Sequence, residues 1–534
     1  MVGDMSEPHT LLLPDDVDGL KAIVIDQAAQ ITVHEQQLAE RDNHIEHLKA
    51  QLRLLVARRF GAASERVVAD GQLKLFNEAE THADDEGVET AIVTVAAHAR
   101  RRGKRQVLPE SLPREEIVYE LNEAERVCPH DGSVLAVIGE ETSEQLDIVP
   151  AKVRVLRHRR FKYACPCCHG HVVTAVMPAQ PIPKSQASAG LLSYIAVSKY
   201  VDALPLYRQA KLFERIGVDM PRQTLCRWMI RCGQFVQPLV NLLRDKLVEG
   251  DAIQMDETTV QVLKEPGKRA QSTSYIWVQR GGELAQPVIL FDYDPTRAGQ
   301  VPKRLLGDFS GYLQTDGYEG YNAVVAANGI TQLYCFAHAR RRFTDAIKSL
   351  GFNPNKLPDK PPDKARGILK GLQFIRHLYA IEHRIRGRPP DERYVVRRAE
   401  SLPVLADLRA WVNERLPKVL PSAPLGDALA YLDNHWEGLV RYCDDGRLEI
   451  DNNLCENAIR PFCLGRKNWM FSDTVHGAKA SANLYSIIET AKANGLEPYA
   501  YLRHVFTELP KAKCVEDIEA LLPYRLGTKA LDIN

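Results

Sequence analysis

From Leu20 to Leu55 the chain carries neither proline nor glycine, and Val24, Ile31, Leu38, Ile45 and Leu52 recur every seventh residue. A second row (Leu20, Gln27, His34, Arg41, Leu48, Leu55) is apolar only at its ends. One apolar row beside one polar row predicts a coiled-coil arm over residues 1–60; the alternative is an amphipathic helix docked on its own domain. Residues 61–110 follow as a linker, with an acidic stretch lacking any apolar period (NEAETHADDEGVET, 77–90) and a basic run (RRRGKR, 100–105).

Residues 111–180 bring cysteines together with the basic strand KVRVLRHRRFK (152–162). A helical pattern then fills 185–248. Leu206–Glu214 reads as one helix, Gly217 allows a tight turn, and Pro221 opens PRQTLCRWMIRC. Helix, short turn, helix is compatible with a helix-turn-helix presenting Arg222 and Arg227 to DNA, and equally with two ordinary packed helices. After Gly250 the period becomes strand-like: AIQMDETTVQVL, TSYIWVQR and PVILFDYD, then GYLQTDGY, the helix YNAVVAANG and the strand ITQLYCFAH. Three strands followed by strands alternating with helices predict a mixed sheet in the ribonuclease-H-like order over 250–345. A proline-broken helical insertion occupies 346–445, the sheet domain resumes over 446–510, and 511–534 form a tail. The fold class expected is multidomain α+β: coiled coil, zinc-ribbon-like segment, helix-turn-helix, and a ribonuclease-H-like α/β domain with a helical insertion.

Charge total adds little, because Lys+Arg and Asp+Glu both number 69. No stretch is apolar enough to span a bilayer, and the N-terminus lacks a basic-then-apolar signal. The 11 cysteines, odd in number and unevenly spread, argue against a secreted disulfide framework. A soluble cytoplasmic, nucleoid-associated protein without a membrane partner is expected.

The candidate chemistry lies in three acids. Alternation along AIQMDET sets Gln254 and Asp256 on the face opposite Ile253 and Met255, so a charge ends an apolar strand. Asp316 ends the GYLQTDGY strand before Gly317. Both aspartates can converge on a divalent metal, with Glu456 of DNNLCENAIRPFCLGRKNW as third carboxylate; Mg²⁺ or Mn²⁺ suits such oxygen ligands. Each acid also has an ordinary reading. The aspartates can cap turns, and Glu456 can close a capping box with Asn453. Arg460, Arg466, Lys467 and Trp469 follow Glu456, and such residues suit a DNA backbone and an unstacked base. Pro461 is expected to kink or end the helix soon after Glu456. Cys165 and Cys168, with Cys128 upstream, have zinc-knuckle spacing.

MDET, LQTDGYEGYN, CFAHARRRF, the Glu456 block, LPLYRQ…RQTLCRWM, RRFGAASERV and YSIIETAKANGLEPYAYLRHVF resemble the insertion-sequence 66 family of transposases over nearly the whole chain. The resemblance implies a DDE-type transposase with Asp256, Asp316 and Glu456 as its triad. It would cut element ends by metal-dependent hydrolysis and join the 3′-hydroxyl to target DNA. His338 and Arg341 would support the site or the DNA, although a buried structural His338 fits as well. The family shows a second cysteine in its first knuckle where this chain has Asp131. Zinc would then rest on Cys128, Cys165, Cys168 and either Asp131 or His130, with Cys167 as substitute; the alternative is a ribbon that has lost its metal. Expected partners are element-end and target DNA, a homo-oligomer on that DNA, and accessory proteins of the same element. The competing functions are a non-catalytic DNA-binding remnant and a structure-selective nuclease that cuts without joining.

Overall fold

Strong apolar runs after Gly250 form the buried strands of the main sheet. The computed structural model describes residues 17–60, 153–164, 172–283, 285–352 and 362–527. Packing divides the chain into two units, residues 1–88 with 178–534, and residues 89–177. In the smaller unit the described part is an antiparallel hairpin, β1 (Lys162–Ala164) and β2 (Val172–Thr174), with Tyr163 opposite Val173. The expected zinc ligands Cys128, Asp131, Cys165 and Cys168, with His130 and Cys167, lie outside the described residues, as does RRRGKR.

The N-terminal arm is one helix, α1 (Val17–Phe60). At 1.5 Å per residue it extends roughly 66 Å. Its seventh-residue row is fully outward: Val24, Ile31, Leu38, Ile45 and Leu52 are 46–64 % exposed.

Four helices precede the sheet: α2 (Ala189–Tyr200), α3 (Leu206–Arg215), α4 (Arg222–Phe235) and α5 (Gln237–Val248). Gly217, at φ +78°, makes the turn between α3 and α4 that a side chain would resist. Leu225, Trp228, Met229 and Cys232 of α4 join the same apolar core as the sheet, while Arg222 and Arg227 stay exposed.

The sheet comprises β3 (Ala252–Lys264), β4 (Thr273–Glu283), β5 (Gln286–Asp294), β6 (Tyr312–Thr315) and β7 (Thr331–Tyr334), in the order β5-β4-β3-β6-β7. The first three are antiparallel; β6 runs parallel to β3, and β7 parallel to β6. A short β8 (Ser472–Thr474) pairs with the far end of β3. Helices α6 (Gln300–Leu306) and α7 (Asn322–Asn328) form the connections around β6. The strand expected through ITQLYCFAH stops at Tyr334. Cys335 is instead the N-cap of α8 (Phe336–Ser349), and FAHARRRF is helical.

The insertion consists of α9 (Asp363–Ile385), α10 (Pro390–Val396), a π-helical turn (Arg397–Ser401), α11 (Leu402–Arg415), α12 (Pro424–Asn434) and α13 (Trp436–Val440). It has its own apolar core, closed by Phe336 and Phe343 of α8. The chain then returns to the sheet as α14 (Asn453–Trp469), α15 (Val475–Ala493), α16 (Pro498–Glu508) and α17 (Val515–Glu519). Ser486 and Thr490, one turn apart on α15, hydrogen-bond the backbone of Phe291 and Ile289 at 2.7 and 3.0 Å. They satisfy edge groups of β5 that would otherwise be open to another strand.

Candidate active site

The parallel register of β3 and β6 matches Ala252 with Tyr312, Ile253 with Leu313 and Gln254 with Gln314. Two residues beyond the last pair come Asp256 and Asp316, at the same level of neighbouring strands and on the face of the glutamines. Asp256 does not end its strand, because β3 continues to Lys264 against antiparallel β4; only β6 ends there. Nor does Asp256 cap a turn: its Oδ1 accepts the N–H of Glu257 at 2.8 Å. Asp316 does act partly as a cap, accepting the Tyr318 N–H at 3.0 Å. Gly317 turns the chain at φ +91°, where a Cβ would meet His435 at 2.8 Å.

Helix α14 lies across β3 and β4 and brings Glu456 to these aspartates. The capping box with Asn453 does not form. Asn452 is the N-cap, and the Asn453 N–H goes to Asp451 Oδ1 at 3.0 Å. Glu456 is 4 % exposed. Its Oε2 lies 3.7 Å from Arg341 and its Oε1 3.8 Å from His338 Nδ1, and this Oε1 has no hydrogen-bond partner among the described residues. The helix also does not end soon after Glu456 but continues past Pro461 to Trp469. Burial of Cys455, Ala458 and Ile459 before the proline, and of Phe462 and Gly465 after it, outweighs the lost N–H.

Electrostatics tie the three acids together. Burial pushes the Asp256 carboxyl well up, and Glu456, Glu257 and Asp316 push it further. Glu456 is raised by burial, with Arg341 opposing and Asp316 reinforcing the shift. Burial first, then Arg341, holds His338 down at about 4, so its imidazole is neutral at pH 7. Cys335 Sγ, a ring nitrogen of His338 and a Glu456 oxygen all lie within 4.8 Å of one another.

Several residues of this region escaped the sequence reading. Gln254 Nε2 donates to Gln314 Oε1 at 2.7 Å and to the Asp451 carbonyl at 3.1 Å; Gln314 Nε2 donates to the Glu449 carbonyl at 2.8 Å. Asn452 Nδ2 donates to the Met255 carbonyl at 3.0 Å. These amides pin the start of α14 beside the aspartates, and buried glutamines inside apolar strands were the available signal. Glu257 accepts from Arg297 at 2.6 Å and from Tyr321 at 3.0 Å, and Arg297 lies 3.9 Å from Asp316.

The predicted basic residues divide. Arg341 is half exposed beside Glu456, and Lys467 is exposed. Arg460 is half-buried. Arg466 bonds Thr258 Oγ1 at 3.1 Å, Thr259 Oγ1 at 3.0 Å and the Thr259 carbonyl, clamping α14 to β3. Arg222 and Arg227 lie on α4, away from the three acids in sequence and element. Trp469 is half-buried, edge-on to Phe462 at 5.3 Å.

Residues 184–480, more than half of the chain, match the family described as "Transposase IS66 family". The flanking segments match "zinc-finger binding domain of transposase IS66" (125–169), "IS66 C-terminal element" (486–524) and "Transposase C of IS166 homeodomain" (47–117). These domains make the chain a transposase of an insertion sequence, with DNA as its partner. It belongs to the IS66 family. Relatives include two proteins of Sinorhizobium fredii (strain NBRC 101917 / NGR234). The uncharacterized protein y4qI is 31 % identical over 97 % of this chain and 98 % of its own length. The uncharacterized protein y4jD is 33 % identical over 78 % of this chain and 81 % of its own. No helix among the described residues is long and apolar enough to cross a membrane.

Proposed function

We propose that this transposase works by the DDE chemistry, with Asp256, Asp316 and Glu456 as its catalytic acids. It would hydrolyse the phosphodiester at each element end and join the freed 3′-hydroxyl to target DNA. The observation that carries this reading is the meeting of three carboxylates from β3, β6 and α14: Asp256 and Asp316 stand at one level of paired strands, Asp256 feels the charges of Glu456 and Asp316, and Glu456 feels that of Asp316. The strand order β5-β4-β3-β6-β7 supports a ribonuclease-H-like core.

These residues fit a hard divalent cation. Glu456 Oε1 is buried without a hydrogen-bond partner, and Asp256 is crowded by like charges that a cation would relieve. Mg²⁺ or Mn²⁺ held by Asp256, Asp316 and Glu456 would activate the attacking oxygen and stabilise the leaving one. The chain's own side chains orient the site: Arg341 restrains Glu456 and can meet an incoming phosphate, while Gln254, Gln314 and Asn452 fix the spacing of the acids. Arg222, Arg227, Arg460 and Lys467 are proposed DNA contacts; Arg466 acts by holding α14 on β3. Zinc bound through Cys128, Cys165, Cys168 and Asp131 or His130 belongs to this proposal, as do self-association through α1 and accessory proteins of the element.

The test is an assay with end-labelled element-end DNA, unlabelled target DNA and Mg²⁺. Cutting followed by joining is expected. Cutting without joining would make the chain a nuclease, and binding without cutting would make it a DNA-binding remnant.

A further inference from the structure

We propose that Cys335, His338 and Glu456 form a second metal site, one selective for a borderline-soft divalent cation such as Zn²⁺. The three ligand atoms lie within 4.8 Å of one another, two of them from the junction where β7 passes into α8 and the third from α14. Cys335 is the helix N-cap and fully buried, and His338 follows one turn later on the same face. A thiol, an imidazole and a carboxylate are a characteristic zinc donor set, with a fourth position left open. The thiol makes the set unattractive to Mg²⁺, which prefers oxygen.

A second observation points to a ligand here. His338 Nδ1 and Glu456 Oε1 are both buried and lack a hydrogen-bond partner among the described residues. They stand 3.8 Å apart, too far to bond each other. Two ligands of one tetrahedral zinc stand roughly 3.3–3.7 Å apart, given bond lengths of about 2.0–2.3 Å. The other oxygen of Glu456 faces Arg341, so Oε1 is the atom left for the ion. On binding, the Cys335 thiol releases its proton to solvent; thiolate and carboxylate then balance the dication, as a buried site requires.

The consequence rests on the proposed catalytic role of Glu456. That carboxylate belongs to both donor sets, so zinc held by Cys335 and His338 withdraws it from Asp256 and Asp316. Zinc therefore switches off the Mg²⁺-dependent reaction.

The experiment uses the full chain, stripped of metal and titrated with Co²⁺ as a spectroscopic substitute for zinc. Wild type is expected to show a component of thiolate-to-cobalt absorption that Cys335→Ser removes and Cys165→Ser retains; Cys165→Ser removes any component that belongs to the ribbon cysteines. His338→Gln, on a partly exposed helical position, should weaken the same component about 10–100-fold, and it carries the test if Cys335→Ser does not fold. Wild-type spectra and stoichiometry in both Cys335→Ser and His338→Gln would overturn the site. In a second arm, DNA cutting in Mg²⁺ is compared with and without added Zn²⁺ within each protein. Zinc should suppress cutting at least about tenfold in wild type and much less in His338→Gln. Equal suppression in both would overturn the switch. A Cys335-dependent cobalt spectrum in a chain that never cuts DNA would uphold the site and count against the catalytic reading of Glu456.

Discussion

Asp451 and Glu456 are buried acids of one segment, and their surroundings separate them. Asp451 accepts from the Tyr379 hydroxyl at 2.7 Å and from Asn453 Nδ2 at 2.7 Å, so its oxygens are already engaged. Glu449 likewise pairs with Arg393 at 3.1 Å. Glu456 keeps an oxygen for a ligand. Asp256→Asn, Asp316→Asn and Glu456→Gln are therefore each expected to reduce cutting by several orders of magnitude while binding of element-end DNA persists, read by gel assays of cutting and binding. Their melting temperatures should hold or rise in metal-free buffer, because one of several crowded charges is gone. Asp451→Asn should do the reverse, losing about 1–3 kcal/mol of stability in denaturant titration and retaining cutting while folded. Full activity in Glu456→Gln with loss in Asp451→Asn would reassign the third acid.

At the scale of elements, α2 and the insertion each make a measurable commitment. Lys199 of α2 has its ammonium 4.8 Å from the ring of Tyr200 and 5.3 Å from that of Trp469, and burial lowers it to about 8. Below pH 8 it is charged in the folded protein at full cost. Between 8 and its ordinary 10.5 the unfolded chain binds more protons, so stability contributed by this group rises with pH. Lys199→Met should accordingly stabilise by about 1–3 kcal/mol at pH 7, with the gain fading towards pH 10.5, as thermal melts at the two pH values would show. In the insertion, fully buried Arg397 of the π-turn donates to both oxygens of Glu382 at 2.9 and 2.7 Å, and to the carbonyls of Tyr442 and Asp445. Arg397→Met leaves that carboxylate without its main partner and should cost about 3–5 kcal/mol in denaturant unfolding.

For the whole molecule, the exposed row of α1 matters most. Five large apolar side chains spaced by seven along one helix offer a seam to a second copy, and the other row, with Gln27, His34 and Arg41, weakens it. Removing residues 1–60 should lower the number of copies per particle, the light-scattering mass divided by the chain mass, while the sheet unit keeps its melting temperature. An unchanged copy number would remove the coiled-coil reading. Metal analysis of the intact chain provides a second check: a ribbon that binds zinc contributes about one zinc per chain, which Cys165→Ser should release while the Cys335 site keeps its own.

Local chemistry was sufficient for part of this protein. Period-two and period-3.6 patterns delimit β3, β4, β5, α3 and α4 because side-chain alternation follows directly from backbone geometry. The charged Asp256 within an apolar strand and Asp316 before Gly317 stood out for the same reason. Other features depend on residues far apart in the chain. Whether Asp256 ended a strand depended on β4, which extends β3 beyond it. The passage of α14 through Pro461 depended on burial against the sheet, which overrode a local penalty. The hydrogen-bond partners of Gln254, Gln314 and Asn452, and the meeting of Cys335 with His338 and Glu456, were not legible in sequence because each requires groups that only folding brings within hydrogen-bond or ligand distance.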